Sequence, residues 1–124
     1  MSATIFIVED DVDTREMLGR FLELEGYRVE TAANGKLALE RLGSGVGPCV
    51  ILLDLMMPVM DGWQFRQAQV KNQDLAKIPV IVVSAAGRER IERIDADAYL
   101  SKPVDLEELL GCVTQFCHPD DRPA

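Results

Sequence analysis

Val50-Ile51-Leu52-Leu53-Asp54 is a continuous apolar run that ends in an acidic residue. Two further runs have the same form, Ile5-Phe6-Ile7-Val8 before Glu9-Asp10 and Val80-Ile81-Val82-Val83 before Ser84. Apolar runs of this length, rich in Val and Ile, are typical of strands buried on both faces of a parallel sheet. The three runs therefore predict the central strands of an α/β fold.

The polar residues that end these runs are expected to meet at one edge of the sheet. Ligands bind outside the carboxyl ends of the strands in an open parallel sheet. If the three strands point the same way, Glu9, Asp10, Asp54 and Ser84 lie together there. A cluster of carboxylates at neutral pH favours a divalent cation, and Mg²⁺ prefers oxygen ligands. The sequence therefore predicts a cation site.

Strand and helix patterns alternate five times along the chain. Helices are predicted near 11–24, 35–42, 62–70, 88–94 and 105–116, with further strands at 27–31 and 98–100. Right-handed crossovers then give a flavodoxin-like, doubly wound, five-stranded parallel sheet of order 2-1-3-4-5 with helices on both faces. The switch point of that order lies between the first and third strands, where Asp10 and Asp54 come together.

Length and charge limit the classes of protein that fit. A chain of 124 residues suits one domain, predicted at 1–118, with a short polar tail at 119–124. The net charge of −8 disfavours direct binding to nucleic acid, which depends on Lys and Arg contacts to phosphate. No run approaches the ~18 apolar residues of a membrane span, and the start lacks a secretory signal. We therefore expect a cytoplasmic protein without membrane insertion.

The three cysteines, Cys49, Cys112 and Cys117, have a spacing typical of neither a zinc site nor a redox CxxC pair. The sequence predicts reduced structural thiols, with a sensing role as the alternative.

Four short motifs stand in a fixed order along nearly the whole chain. They are Val8-Glu9-Asp10-Asp11, Leu53-Asp54-Leu55-Met56-Met57-Pro58 with Met60-Asp61-Gly62, Val83-Ser84-Ala85, and Tyr99-Leu100-Ser101-Lys102-Pro103. In this order they resemble the receiver domain of two-component response regulators, especially stand-alone, chemotaxis-regulator-like members. The resemblance implies a phosphoprotein that takes a phosphoryl group from a histidine kinase or a histidine phosphotransfer protein. It then acts on a protein target or passes the group along a phosphorelay.

The resemblance also implies a Mg²⁺ site and a nucleophile. Asp54 corresponds to the phosphoryl acceptor. Asp10 corresponds to a direct metal ligand, together with Asp54 and the backbone carbonyl of Met56, while Glu9 reaches the metal through water. In chemical terms, the cation offsets repulsion among the carboxylates and neutralises charge on the transferring group.

Three further residues take roles from the same resemblance. Ser84 corresponds to the hydroxyl that binds the phosphoryl group, and Lys102 to its cationic partner. Tyr99 corresponds to an aromatic switch residue that turns when the Ser84 loop moves. Phosphorylation would thereby change the surface formed by the fourth predicted helix, the fifth strand and the last helix. The Lys102–Pro103 bond is expected to be cis by the same resemblance.

Other interpretations of the sequence stay open. The acidic residues can act as helix caps, Lys102 as a surface lysine and Tyr99 as a half-buried aromatic. The chain also fits a segment of a hybrid kinase as well as it fits a stand-alone receiver. The segment between Ser84 and Lys102 is shorter than in most receivers, and the stretch 87–97 within it is charged and lacks the glycine that usually ends the fourth helix. This indicates a short, loosely held helix or a remodelled partner surface.

Two rival functions accompany these interpretations. One is a phosphorylation-independent interaction module on the same fold, for which stretch 87–97 is the support. The other is a Mg²⁺-dependent phosphohydrolase, which is disfavoured because Met56 stands where a second carboxylate is needed. Met56 and Ala86 also lack side chains that orient water, so we expect a non-enzymatic acceptor that loses its phosphate slowly.

Overall fold

The computed structural model describes residues 3–44, 47–85 and 94–117. Strands and helices alternate along this part of the chain. Their bounds are β1 Thr4–Val8, α1 Val12–Leu24, β2 Arg28–Ala32, α2 Gly35–Gly43, β3 Val50–Leu53, α3 Gly62–Lys71, β4 Val80–Ser84, β5 Ala98–Ser101 and α4 Leu106–Phe116. The five strands form one parallel sheet of order β2-β1-β3-β4-β5, which confirms the predicted topology.

The register of the central strands determines the edge of the sheet at which the polar residues lie. Val8 at the end of β1 pairs with Leu53 at the end of β3. Leu53 in turn pairs with Val82 in β4, two residues before Ser84. Every residue of β3 and β4 is buried, because helices cover both faces of the sheet. The residues that follow these strands therefore share one edge.

Side chains of alternate strand residues build two separate cores, one on each face of the sheet. Phe6 and Ile51 join a cluster that includes Phe65 of α3. Ile5 and Leu52 point to the other face and join the cluster that contains Leu109 of α4. We call the second group the α4-side core.

Asx caps fix the starts of the helices that lead away from the site. Asp11 caps α1 by accepting a hydrogen bond from the Thr14 backbone N–H. Asp61 and Gln64 form a reciprocal capping box at the start of α3. Both helices are thereby held in register with the loops that precede them.

Two predicted segments cannot be compared with the structure. The helix expected at 88–94 lies largely outside the described residues, and the tail expected at 119–124 lies wholly outside them. Within the described part of the chain, no helix has the length and apolarity needed to cross a bilayer.

The prediction that all three cysteines are unpaired thiols is wrong. The structure pairs Cys49 with Cys117 as a disulfide whose Cα atoms lie 5.6 Å apart, and leaves Cys112 free. The two paired residues are 68 positions apart in the sequence, and they meet only because β3 begins where α4 ends.

Candidate functional site

Backbone hydrogen bonds carry the sheet ladder one residue beyond β1 and β3. The Asp54 N–H donates to the Val8 carbonyl at 3.0 Å, and the Glu9 N–H donates to the Ala32 carbonyl at 3.1 Å. These bonds fix the backbone of both acidic residues at the carboxyl edge of the sheet. The side chains of Glu9 and Asp54 are almost fully buried there, with residue exposures of 2% and 5%.

The carboxylates predicted to meet do meet. Glu9, Asp10 and Asp54 each offer one oxygen, and these oxygens all lie within 4.8 Å of one another. Two oxygens on opposite sides of a Mg²⁺ ion lie about 4.2 Å apart, given metal–oxygen distances of ~2.1 Å. The all-oxygen donor set and its spacing therefore fit a hard divalent cation after a small adjustment of side chains. Asp10 is exposed, which leaves one side open to water or a ligand.

Lys102 brings a positive charge into this cluster from the end of β5. Its Nζ lies 2.5 Å from Glu9 Oε1 and 3.6 Å from Asp54 Oδ2. The Lys102 N–H donates to the Ser84 carbonyl at 3.0 Å, and the Lys102–Pro103 peptide bond is cis, as the resemblance implied. The ammonium group thus lies between two carboxylates and pairs more closely with Glu9 than with Asp54.

Burial governs the ionisation of Glu9. The pKa of Glu9 is raised from 4.5 to about 7. Loss of hydration on burial is the largest cause, the hydrogen bond from Lys102 opposes the increase, and the nearby Asp54 carboxylate adds to it. Burial lowers the pKa of Lys102, but the hydrogen bond to Glu9 and the charge of Asp54 outweigh it, so the net pKa of Lys102 is raised. In the absence of a metal ion, the cluster therefore holds a proton readily near neutral pH.

The metal-free protein is expected to lose stability as the pH rises from about 4.5 to about 7. In that range folded Glu9 keeps a proton that the unfolded chain has released, so the folded state binds more protons and its stability falls with pH. The loss is at most about 3–4 kcal/mol, since the pKa rises from 4.5 to about 7 and one pKa unit corresponds to ~1.4 kcal/mol. Urea unfolding in the presence of a chelator, at several pH values, measures it.

Glu9→Gln is the matched variant for that measurement, because the amide keeps the shape of the side chain and does not titrate. Its unfolding free energy is expected to change less than that of the wild type over the same pH range. Equal slopes in the two proteins would contradict the assigned pKa of Glu9. Added Mg²⁺ is expected to stabilise the wild type most above pH 7, where the carboxylate is ionised.

Ser84 and Tyr99 occupy different positions relative to the cluster. Ser84 is fully buried at the end of β4, at the same edge as Asp54. Tyr99 pairs with Val82 in the sheet but is 43% exposed, and its hydroxyl donates to the Ile94 carbonyl at 2.6 Å and accepts from the Ala96 N–H at 3.1 Å. The ring of Tyr99 is therefore held outward, away from the carboxylates.

The loop after β3 carries Met56, which is half-exposed two residues beyond Asp54. Its backbone N–H lies 3.3 Å from Asp54 Oδ1. Within the same loop Val59 has a φ of +70°, a left-handed conformation that β-branched residues rarely adopt. The loop is thus bound to the Asp54 carboxylate by its own backbone.

The sequence analysis did not predict the supporting contacts of two residues of the site. Arg15 donates from Nη1 to the Glu9 carbonyl at 2.8 Å, and Gly62 donates from its N–H to the Leu55 carbonyl at 2.9 Å. Gly62 also packs directly against the backbone of Asp54. A glycine at the start of a predicted helix was the available signal for Gly62, whereas the Arg15 contact depends on the direction of α1.

Comparison with known proteins places the chain among signalling proteins. The family model for the response regulator receiver domain matches residues 5–114. The response regulator MprA of Mycobacterium ulcerans is 44% identical over 116 residues, which cover 90% of this chain and 48% of that protein. The DNA-binding dual master transcriptional regulator RpaA of Synechocystis is 35% identical over 122 residues, with 95% and 50% covered. The chain spans about half the length of the curated relatives it matches.

Solved structures agree with this placement. The chemotaxis protein CheY4 of Vibrio cholerae superposes with a TM-score of 0.85 and 29% identity, covering 94% of this chain and 99% of that one. The response regulator TrrA of Thermotoga maritima, solved in complex with Mg²⁺–BeF, gives a TM-score of 0.81 and 29% identity, with 92% and 98% covered. The fold and the order of its elements therefore match those of a chemotaxis protein and of a response regulator.

Proposed function

Because this chain belongs to the response regulator receiver-domain family, the phosphoacceptors of two-component signalling, we propose that Asp54 is the residue that accepts the phosphoryl group. The Asp54 carboxylate follows a central strand, is 5% exposed and has an ammonium group 3.6 Å from Oδ2. These features suit a fixed nucleophile that meets a highly charged phosphoryl group.

In the proposed reaction an Asp54 oxygen forms a bond to phosphorus while the bond from phosphorus to the donor breaks. A histidine kinase or a histidine phosphotransfer protein is the proposed donor, so the leaving group is an imidazole nitrogen. Lys102 attracts the oxygens of the arriving group, and it leaves its close contact with Glu9 to do so. The backbone N–H of Asp54 donates to the Val8 carbonyl, which holds the residue in place at the end of β3.

We further propose Mg²⁺ as the cofactor of the site. Asp10, Asp54 and the backbone carbonyl of Met56 would hold it directly, and Glu9 would act through water. The mutual distance of the carboxylate oxygens supports this donor set. When bound, the ion neutralises charge on the transferring phosphoryl group and offsets the repulsion among the carboxylates.

The proposed switch depends on Ser84 and Tyr99. A phosphoryl group on Asp54 offers acceptor oxygens to the Ser84 hydroxyl and so favours a movement of the loop after β4. Tyr99 would then turn inward, which requires it to give up its hydrogen bonds to Ile94 and Ala96. Phosphorylation shifts the population toward the arrangement with Tyr99 turned inward only as far as it stabilises that arrangement more than the one with Tyr99 turned outward.

The location, the lack of turnover and the output of this domain are also part of the proposal. We propose that it works in the cytoplasm, that it is not itself a turnover enzyme, and that its output is contact with a downstream protein. Its curated relatives are about twice as long as the chain, and one of them is named as a DNA-binding regulator. A DNA-binding output is thus a property of that relative, while the residues described here contribute the phosphoryl-accepting part.

The proximity of the Glu9, Asp10 and Asp54 oxygens carries this proposal. The test is incubation with a small phosphodonor, with and without Mg²⁺, followed by intact mass measurement. A Mg²⁺-dependent gain of one phosphoryl group supports the proposal. Continuous release of phosphate would instead favour a phosphohydrolase, and the absence of any adduct at all magnesium concentrations would favour a phosphorylation-independent interaction module.

Met56→Asn is expected to shorten the lifetime of the phosphorylated form several-fold. An apolar thioether at this position gives a hydrolytic water no hydrogen-bond partner, whereas an amide beside Asp54 can orient one. The decay of the phosphorylated mass after removal of the donor measures the lifetime. Val59→Asn is the matched control, since Val59 lies in the same loop and is 75% exposed. Equal lifetimes for Met56→Asn and Val59→Asn would contradict the prediction.

A further inference from the structure

The Cys49–Cys117 pair joins two elements at the edge of the sheet opposite the phosphoryl site. Cys49 immediately precedes β3, and Cys117 is the C-cap of α4. Their Cα atoms are 5.6 Å apart, within the range of ~4.4–6.8 Å that a disulfide spans. Asp54 lies at the other end of β3, roughly 15 Å away at the rise of an extended strand.

The surroundings of the pair indicate that it controls the end of α4. Cys117 is fully buried in the α4-side core, and its carbonyl accepts a hydrogen bond from the buried Tyr27 hydroxyl. Cys49 donates its backbone N–H to the Thr4 carbonyl at 2.9 Å, which ties it to the start of β1. Breaking the sulfur–sulfur bond would therefore leave both residues packed, and the hydrogen bond from the Tyr27 hydroxyl would still hold the end of the helix.

We propose that Cys49 and Cys117 are a redox-reversible pair whose disulfide staples the C-terminal end of α4 to the start of β3. In a reducing compartment such a pair exists as two thiols until the supply of oxidant rises. α4 begins shortly after Lys102, so the disulfide at its other end limits how far the helix moves when the phosphoryl site changes conformation. The inference does not depend on which residue accepts the phosphoryl group.

The chemistry is thiol–disulfide exchange with a small disulfide such as oxidised glutathione. The Cys49 thiolate attacks one glutathione sulfur, forming a mixed disulfide and releasing one glutathione thiolate. The Cys117 thiolate then attacks the Cys49 sulfur and releases the second glutathione. The two protein thiols lose two electrons and two protons, and two molecules of reduced glutathione result. Cys49 reacts first because it is partly exposed, whereas Cys117 is fully buried.

The test compares the full chain after equilibration with reduced and with oxidised glutathione. Oxidation is expected to remove two hydrogen atoms from the intact mass and to link the peptides that contain Cys49 and Cys117. The oxidised form should unfold on the order of 10 °C higher, because the bond closes a 68-residue loop. Amide hydrogen exchange in the last turn of α4 should be slower in the oxidised form.

Four variants make the result specific. Cys112→Ser keeps the pair and should behave as the wild type does. Cys49→Ala and Cys117→Ala should show neither the loss of hydrogen nor the increase in unfolding temperature; alanine is chosen because Cys117 is buried. Asp54→Asn should still form the bond, which separates this result from failure of the proposed phosphorylation. A bond that contains Cys112, a linkage only between two chains, or equal unfolding temperatures in both redox states would overturn the proposal.

Discussion

Asp54→Asn is expected to abolish phosphoryl acceptance entirely. The amide has nearly the shape of the carboxylate, so the backbone bond from residue 54 to the Val8 carbonyl can persist. It lacks the negative charge that makes an oxygen nucleophilic, and it is a poorer ligand for Mg²⁺. Incubation with a small phosphodonor and Mg²⁺ should give a phosphorylated mass for the wild type and none for the variant.

Asp74→Asn is the matched control for that experiment. Asp74 is an exposed acidic residue in the segment between α3 and β4, and it is not a member of the carboxylate cluster. This variant carries the same change of charge and should be phosphorylated as the wild type is. A phosphoryl group on the Asp54→Asn protein, or its loss from Asp74→Asn alone, would show that the acceptor has been wrongly assigned.

Gly62→Ala is expected to destabilise the protein by about 3 kcal/mol, at the upper end of the usual cost of overpacking. A Cβ atom on Gly62 would lie 2.6 Å from the Asp54 carbonyl oxygen and 2.7 Å from the Leu55 Cα. These are backbone atoms, so no side-chain rotation relieves the contact. Either the start of α3 or the backbone after β3 must move, and chemical denaturation measures the cost.

Gly111→Ala is the corresponding control in α4. A Cβ atom there would meet no atom within 4 Å, and alanine favours a helix interior by ~0.5–1 kcal/mol over glycine. We therefore expect a small increase in stability. Because Gly62 contacts the Asp54 backbone, Gly62→Ala should also slow phosphorylation, while Gly111→Ala should not. If the two alanine variants are equally stable, the close packing of Gly62 on Asp54 is contradicted.

The arrangement of the sheet was predictable because its central strands have an unmistakable composition. β3 is apolar throughout, β4 is apolar up to its last residue, Ser84, and both strands are buried on both faces. The end of each apolar run therefore marks the polar edge, at Asp54 and at Ser84. The parallel order then follows from the alternation of strands and helices. That topology predicted that Asp10 and Asp54 lie close together, and the short distance between their carboxylate oxygens confirms it.

Features that depend on side-chain distances were beyond the sequence. Nothing in the order of residues indicates that Lys102 lies nearer to Glu9 than to Asp54, or that burial raises the pKa of Glu9 to about 7. The Cys49–Cys117 pair was predicted wrongly because cysteine spacing carries no information about elements that meet 68 positions apart. Both features arise from packing in the folded chain.

The most direct measurement is a crystal structure of the protein with Mg²⁺ and fluoroberyllate, which mimics a phosphoryl group on a carboxylate. The account predicts beryllium bound to an Asp54 oxygen, and a metal ion held by Asp10, Asp54 and the Met56 carbonyl. It also predicts Lys102 turned from Glu9 to the fluorides. Fluoroberyllate on another carboxylate, or a metal ion that contacts neither Asp10 nor Asp54, would contradict it.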